Sequence, residues 1–62
     1  MTREQQMADL LERCASVLAT LVDLEADCYN AGLRRAEYEI GMAQTFVVSA
    51  RGRILHALQE TT

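Results

Sequence analysis

The stretch CYNAGL at residues 28–33 decides the fold, because the pattern of apolar residues changes phase within it. Before this stretch, a row of apolar residues recurs every seven positions and ends at Cys28. After it, a second pattern begins at Leu33, whereas the first pattern, if continued, would place Arg35 among the apolar positions. Asparagine and glycine within residues 30–32 suit the left-handed conformation at a helix end. The phase break therefore predicts a turn between two helices.

The first half of the chain carries a wide amphipathic stripe. Its apolar residues form two rows with a spacing of seven, and two leucines widen the stripe on one flank. The rows are Met7, Cys14, Leu21 and Cys28, then Leu10, Val17 and Leu24, with Leu11 and Leu18 on the flank. Thr2 and Gln5 fit a capping box at the start of a helix. These features predict helix 1 over about residues 3–29.

The second half has a stricter repeat, in which a row of large residues alternates with a row of alanines. The rows are Leu33, Ile40, Val47 and Ile54, then Ala36, Ala43, Ala50 and Ala57. Alanine lets a neighbouring helix approach closely while the large residues fill the space between. The pattern predicts helix 2 over about 33–60, after a turn at about 30–32. The predicted fold is all-α, a single antiparallel helical-hairpin domain over residues 1–62; the rival is one continuous helix with a stutter near Gly32.

The length of the chain indicates that a second chain completes the structure. A domain of 62 residues buries only about 60% of the surface that its unfolded chain exposes, and usually needs a disulfide, a metal or a partner. Cys14 and Cys28 lie about 21 Å apart on one helix, too far for a disulfide, and His56 is the only histidine, so no zinc site is expected. Apolar residues outside the two rows would remain in water. We therefore predict a homodimer that forms a four-helix bundle.

Charge and motifs exclude several classes of function. All six basic residues are arginine; residues 1–31 hold six carboxylates and two arginines, and residues 32–62 hold three carboxylates and four arginines. A nucleic-acid-binding protein usually has a concentrated basic face, which is absent here. The chain shows no leader-like apolar run, no phosphate-binding loop and no nucleophile–base–acid set. We expect a cytoplasmic protein that is not an enzyme, uses no cofactor and does not bind membranes.

The candidate partner-binding residues belong to types that are enriched at protein interfaces or lie beside apolar flanks. They are Tyr38, Met42, Phe46, Arg51, Arg53 and Arg3. Tyr38, Met42 and Phe46 follow i, i+4, i+8 spacing, although Phe46 could equally complete the dimer core. Gly41 and Gly52 share one helix face and line either a groove for a partner helix or a close contact within the dimer.

The layout resembles small phage-encoded two-helix proteins that bind and inactivate host proteins, such as the anti-activators of quorum sensing in Pseudomonas phages. The resemblance covers the whole chain and rests on its length, acidity, arginine-only basic set, hairpin and Tyr38. It implies a dimer that captures a host transcriptional activator, with Arg3 and Tyr38 as contacts. We predict a regulator that inhibits a host protein by occluding its surface.

Two further resemblances supply alternatives. The second half, from Tyr38 to the Ile54–Leu55 pair, is similar to co-chaperones of type III secretion needle subunits. That likeness implies an assembly subunit that pairs with a helical-repeat chaperone. The hairpin also resembles Rop-like RNA-binding regulators in size and layered packing. The matching face of helix 1 is acidic here and lacks an exposed aromatic residue with lysines, so the RNA-binding role carries over poorly.

Overall fold

A computed structural model describes residues 2–60 as two helices packed against each other in a hairpin. The first helix, α1, spans Arg3–Asn30, and the second, α2, spans Arg34–Glu60. The all-α hairpin prediction is confirmed, and the continuous helix is excluded.

The start of α1 is fixed by the capping box that the sequence predicts. The Thr2 hydroxyl accepts a hydrogen bond from the Gln5 backbone N–H at 3.1 Å, and the Gln5 side chain accepts one from the Thr2 N–H at 2.9 Å. Two N–H groups that lack helical partners are thereby satisfied. Glu4 adds a negative charge in the first turn, where the helix dipole favours it.

The turn between the helices is a Schellman motif, which explains why the chain reverses at this glycine. The Leu33 N–H donates to the Cys28 carbonyl at 2.9 Å, and the Gly32 N–H donates to the Tyr29 carbonyl at 3.0 Å. These two bonds define the motif, which needs a left-handed residue after the helix. Gly32 fills this position with a φ of 75°. Leu33 is the residue that closes the cap, and it is exposed.

The seam between the helices combines one predicted row of α1 with a different second row. The predicted row of Met7, Cys14, Leu21 and Cys28 is buried or partly buried. The second row is Leu11, Leu18 and Glu25, which are all partly buried. On α2, the predicted rows form the seam except at Leu33 and Ala50, which are exposed.

Five residues of the rows that were expected in the core of the hairpin or of its dimer lie outside the seam of the hairpin. These are Leu10, Val17, Leu24, Leu33 and Ala50, all exposed in the hairpin. The rows that begin at Leu10 and Leu11 lie on opposite flanks of the Met7 row, because successive helical residues are rotated by about 100°. Either row could pair with the Met7 row, and α2 packs on the side of Leu11.

The hairpin is too thin to enclose a core. It extends 46 × 17 × 10 Å along its principal axes, and its smallest dimension is about the diameter of one helix. Its radius of gyration is 14.4 Å, against about 10.6 Å for a compact chain of this length. With no third layer, a side chain in the seam is covered from one direction only. Met7, at 8% exposure, is the only buried side chain within residues 2–60.

Candidate protein-binding surfaces

Large apolar side chains cover much of the hairpin surface. Eleven of them are exposed within residues 2–60, with exposed fractions from 37% to 68%. They are Leu10, Val17, Val22, Leu24, Tyr29, Leu33, Tyr38, Met42, Phe46, Val48 and Leu55. Single exposed apolar residues are ordinary, but eleven large ones beside one buried residue favour a surface that another molecule covers.

The first candidate surface is an apolar groove of about 400 Å³ between the two helices, in the half of the hairpin away from the turn. Both helices contribute side chains to it. The lining residues are Leu10, Arg13, Cys14 and Val17 from α1, and Phe46, Val47, Ala50 and Ile54 from α2. Arg13 is the one charged lining residue, and it pairs with Asp9 on its own helix at 3.8 Å.

The second candidate surface is a polar pocket of about 480 Å³ beside the turn. Its lining mixes two carboxylates, one guanidinium and several neutral side chains. The lining residues are Glu25 from α1 and Arg34, Glu37, Tyr38, Gly41, Met42 and Thr45 from α2. Successive helical residues are rotated by about 100°. On α2, pocket residues such as Gly41 and Thr45 therefore lie on one flank of the Ile40–Val47 row, whereas Phe46 and Ala50 of the groove lie on the other flank.

Glu25 connects the polar pocket to the seam. Its Oε1 accepts a hydrogen bond from Gln44 Nε2 at 3.0 Å, which links the two helices. Its Oε2 lies beside Gly41, where an added Cβ would stand only 2.9 Å away. Glycine at position 41 thus makes room for a carboxylate inside the hairpin, a role that neither sequence interpretation of this residue included. At Gly52, an added Cβ would meet nothing within 4 Å.

The structure separates the three residues that the sequence placed together. Tyr38 and Met42 line the polar pocket, whereas Phe46 lines the apolar groove. Eight residues of helix rotate the side-chain direction by about 80°, so Tyr38 and Phe46 face different flanks. Arg3, Arg51 and Arg53 are exposed and line neither surface.

Ion pairs do not tie the helices together in the described part of the chain. The three pairs there join residues four positions apart on one helix and are well exposed: Arg13–Asp9, Arg35–Glu39 and His56–Glu60. Exposed pairs of this type each contribute about 0–1 kcal/mol. The contrast in charge between the two halves of the sequence is therefore not realised as ion pairs across the hairpin.

Sequence reasoning missed the polar members of both surfaces. Glu25, Arg34, Glu37 and Arg13 line the surfaces but were not candidates. The one available signal was Glu25, a carboxylate that continues the spacing of Leu11 and Leu18.

No protein-family model, curated protein or solved structure matches this chain. Within residues 2–60, neither helix has the length and apolar character needed to cross a membrane. The same residues contain no group of three or more histidine, cysteine, aspartate or glutamate side chains placed to hold a metal ion.

Proposed function

We propose that this hairpin is a cytoplasmic, non-enzymatic regulator that acts by binding another protein. In this proposal it is a homodimer, arranged as a four-helix bundle, that inhibits a host protein such as a transcriptional activator. The supporting observation is the excess of exposed over buried apolar side chains: eleven large ones are exposed and Met7 alone is buried within residues 2–60. Covering such side chains contributes about 25 cal/mol for each Å² of apolar surface removed from water, from which the entropy cost of association is subtracted.

The polar pocket is the surface that we assign to the host protein. Tyr38 is 66% exposed at its edge, and tyrosine combines a large apolar ring with a hydroxyl that forms hydrogen bonds. Met42 provides an adaptable apolar contact. Glu25 and Glu37 outnumber Arg34 in the lining, so the pocket favours a target that presents an arginine or lysine beside an apolar side chain.

The proposed mechanism is occlusion. A rigid helical face that covers a helix or groove of the target prevents the target from using that surface elsewhere. No chemical step is required, so inhibition is reversible and depends on the concentration of the hairpin relative to its dissociation constant.

A pull-down tests this proposal. The tagged full-length chain is incubated with bacterial lysate, and captured proteins are identified by mass spectrometry. Tyr38→Ala removes the ring from the pocket, and Tyr29→Ala is its matched control, because Tyr29 is 65% exposed but lies outside the pocket. We expect one captured protein that Tyr29→Ala retains and Tyr38→Ala loses.

The captured protein is then purified, and its affinity for each variant is measured. Loss of the tyrosine should weaken binding at least about tenfold, as for an interface hot spot. Recovery of no specific protein, or equal capture by both variants, would refute the assignment of the pocket.

A further inference from the structure

We propose that the apolar groove is occupied by the groove of a second copy of this chain. Two hairpins then pack face to face around a two-fold axis, and the polar pockets remain accessible. This inference rests on the proposed homodimer and identifies the surface that forms it.

The charge distribution favours self-association through the groove and not through the pocket. A two-fold interface brings the same patch of each copy together, so the patch must be complementary to itself in shape and charge. The groove meets this condition, because its only charged lining residue, Arg13, is paired with Asp9 on its own helix at 3.8 Å. The pocket meets it less well, because Glu25 and Glu37 outnumber Arg34 in its lining and two copies would bring together patches of the same net negative charge.

The groove also has a surface shape that a second copy can complement. On α2, Phe46, Ala50 and Ile54 follow i, i+4, i+8 spacing, which places a small residue between two large ones along one ridge. Ridges of this spacing pack into the grooves of a neighbouring helix. A large side chain of one copy can therefore enter the notch at Ala50 of the other.

The exposed area has the size that a dimer requires. The hairpin exposes 4794 Å², whereas a compact monomer of 6.9 kDa would expose about 4000 Å². The excess of about 800 Å² equals the area that each partner contributes to a protein interface of standard size. One second copy can cover that excess, and the groove offers it a lining in which seven of the eight side chains are apolar.

Sedimentation equilibrium of the full chain tests the interface with two matched variants. Ala50→Arg places a guanidinium in the groove, and Ala15→Arg makes the same change on an exposed residue of α1 outside it. We expect dimers for the wild type and for Ala15→Arg, and a dimer dissociation constant raised at least about thirtyfold for Ala50→Arg. A wild-type monomer at micromolar concentration, or a dimer that only Ala15→Arg dissociates, would overturn the proposal.

Thiol alkylation provides a test that needs no variant to fold. Cys14 lines the groove and Cys28 does not, and both thiols are free and partly exposed. We expect alkylation of Cys14 in the wild type to slow as protein concentration rises, while that of Cys28 stays constant. A Cys14 alkylation rate that does not change with protein concentration would contradict the assignment of the groove.

The outcomes separate this inference from the proposed function. If the groove dimer forms but no host protein is captured, the interface stands and the regulatory function fails. If the chain is monomeric and still captures a protein through Tyr38, the groove dimer fails and the pocket assignment stands.

Discussion

The apolar groove and the polar pocket are concavities of similar size in one hairpin, yet they differ in chemistry. The groove, about 400 Å³ in volume, has a single, self-paired charge, whereas the pocket, about 480 Å³ in volume, holds Glu25, Glu37 and Arg34. Both belong to two helices that share the same turn and seam. This difference in charge is the reason why we propose that the groove binds a second copy and that the pocket binds a different protein.

Among substitutions by alanine, the largest effect on dimerisation is expected at one of two exposed aromatic residues on α2. Phe46 and Tyr38 are 68% and 66% exposed, so truncating either removes little packing within the hairpin. We expect Phe46→Ala to raise the dimer dissociation constant at least about tenfold, because it removes an apolar anchor from the groove. Tyr38→Ala should leave it within about twofold. Analytical ultracentrifugation measures both, and a reversed order would exchange the roles of the two surfaces.

The next largest effect is expected at the turn, because both the groove and the pocket exist only while α2 folds back on α1. Gly32→Ala forces an L-residue into a φ of 75°, which costs about 1–2 kcal/mol. We expect the free energy of unfolding, measured by urea titration at fixed protein concentration, to fall by this amount. A stability equal to wild type would mean that the cap does not require glycine.

The hydrogen bond between Glu25 and Gln44 lies where the polar pocket meets the seam between the helices. A double-mutant cycle with Glu25→Ala and Gln44→Ala isolates its coupling energy. For a single partly buried bond of 3.0 Å, we expect about 0.5–1.5 kcal/mol of coupling in the free energy of unfolding. Additive effects of the two substitutions would show that this bond does not hold the helices in register.

The smallest expected effect is the difference in stability gain when each of the two helical glycines is replaced by alanine. Gly52→Ala should raise the free energy of unfolding by up to about 1 kcal/mol, because alanine favours the helix and its Cβ meets nothing within 4 Å. Gly41→Ala should gain less, since its Cβ would stand 2.9 Å from Glu25 Oε2 and the carboxylate would have to move. Thermal unfolding followed by circular dichroism compares the two variants, and equal gains would show that the Glu25 carboxylate moves aside at no cost in stability.

Local patterns predicted the hairpin because its turn depends on residues adjacent in sequence. The phase break identified the reversal, Gly32 supplied the left-handed residue, and Thr2 with Gln5 marked the start of α1. The glycine and the capping box each operate within about one or two helical turns, and the phase break is a pattern along the sequence, so none of the three requires knowledge of the packed structure.

The second row of the seam was not predictable in the same way. Leu10 and Leu11 begin rows on opposite flanks of α1, and only the position of α2 decides which row is covered. The chosen row includes Glu25, a charged residue that an apolar pattern rejects. Its position becomes acceptable only with Gln44 as a donor and Gly41 as open space, both from the other helix. The division of Tyr38 and Phe46 between two surfaces depends on the same packing.

If the proposed dimer forms, the presence of a single buried side chain, Met7, within residues 2–60 would also link the lifetime of this protein to its abundance. A fold whose apolar surface is covered mainly by other chains gains stability with the concentration of those chains. Newly made hairpins at low copy number would open often, and proteases act on the opened chain. As the concentration of the chain rises, a larger fraction of copies would be dimeric and protected from proteolysis. The amount of folded protein would then increase more than in proportion to its rate of synthesis.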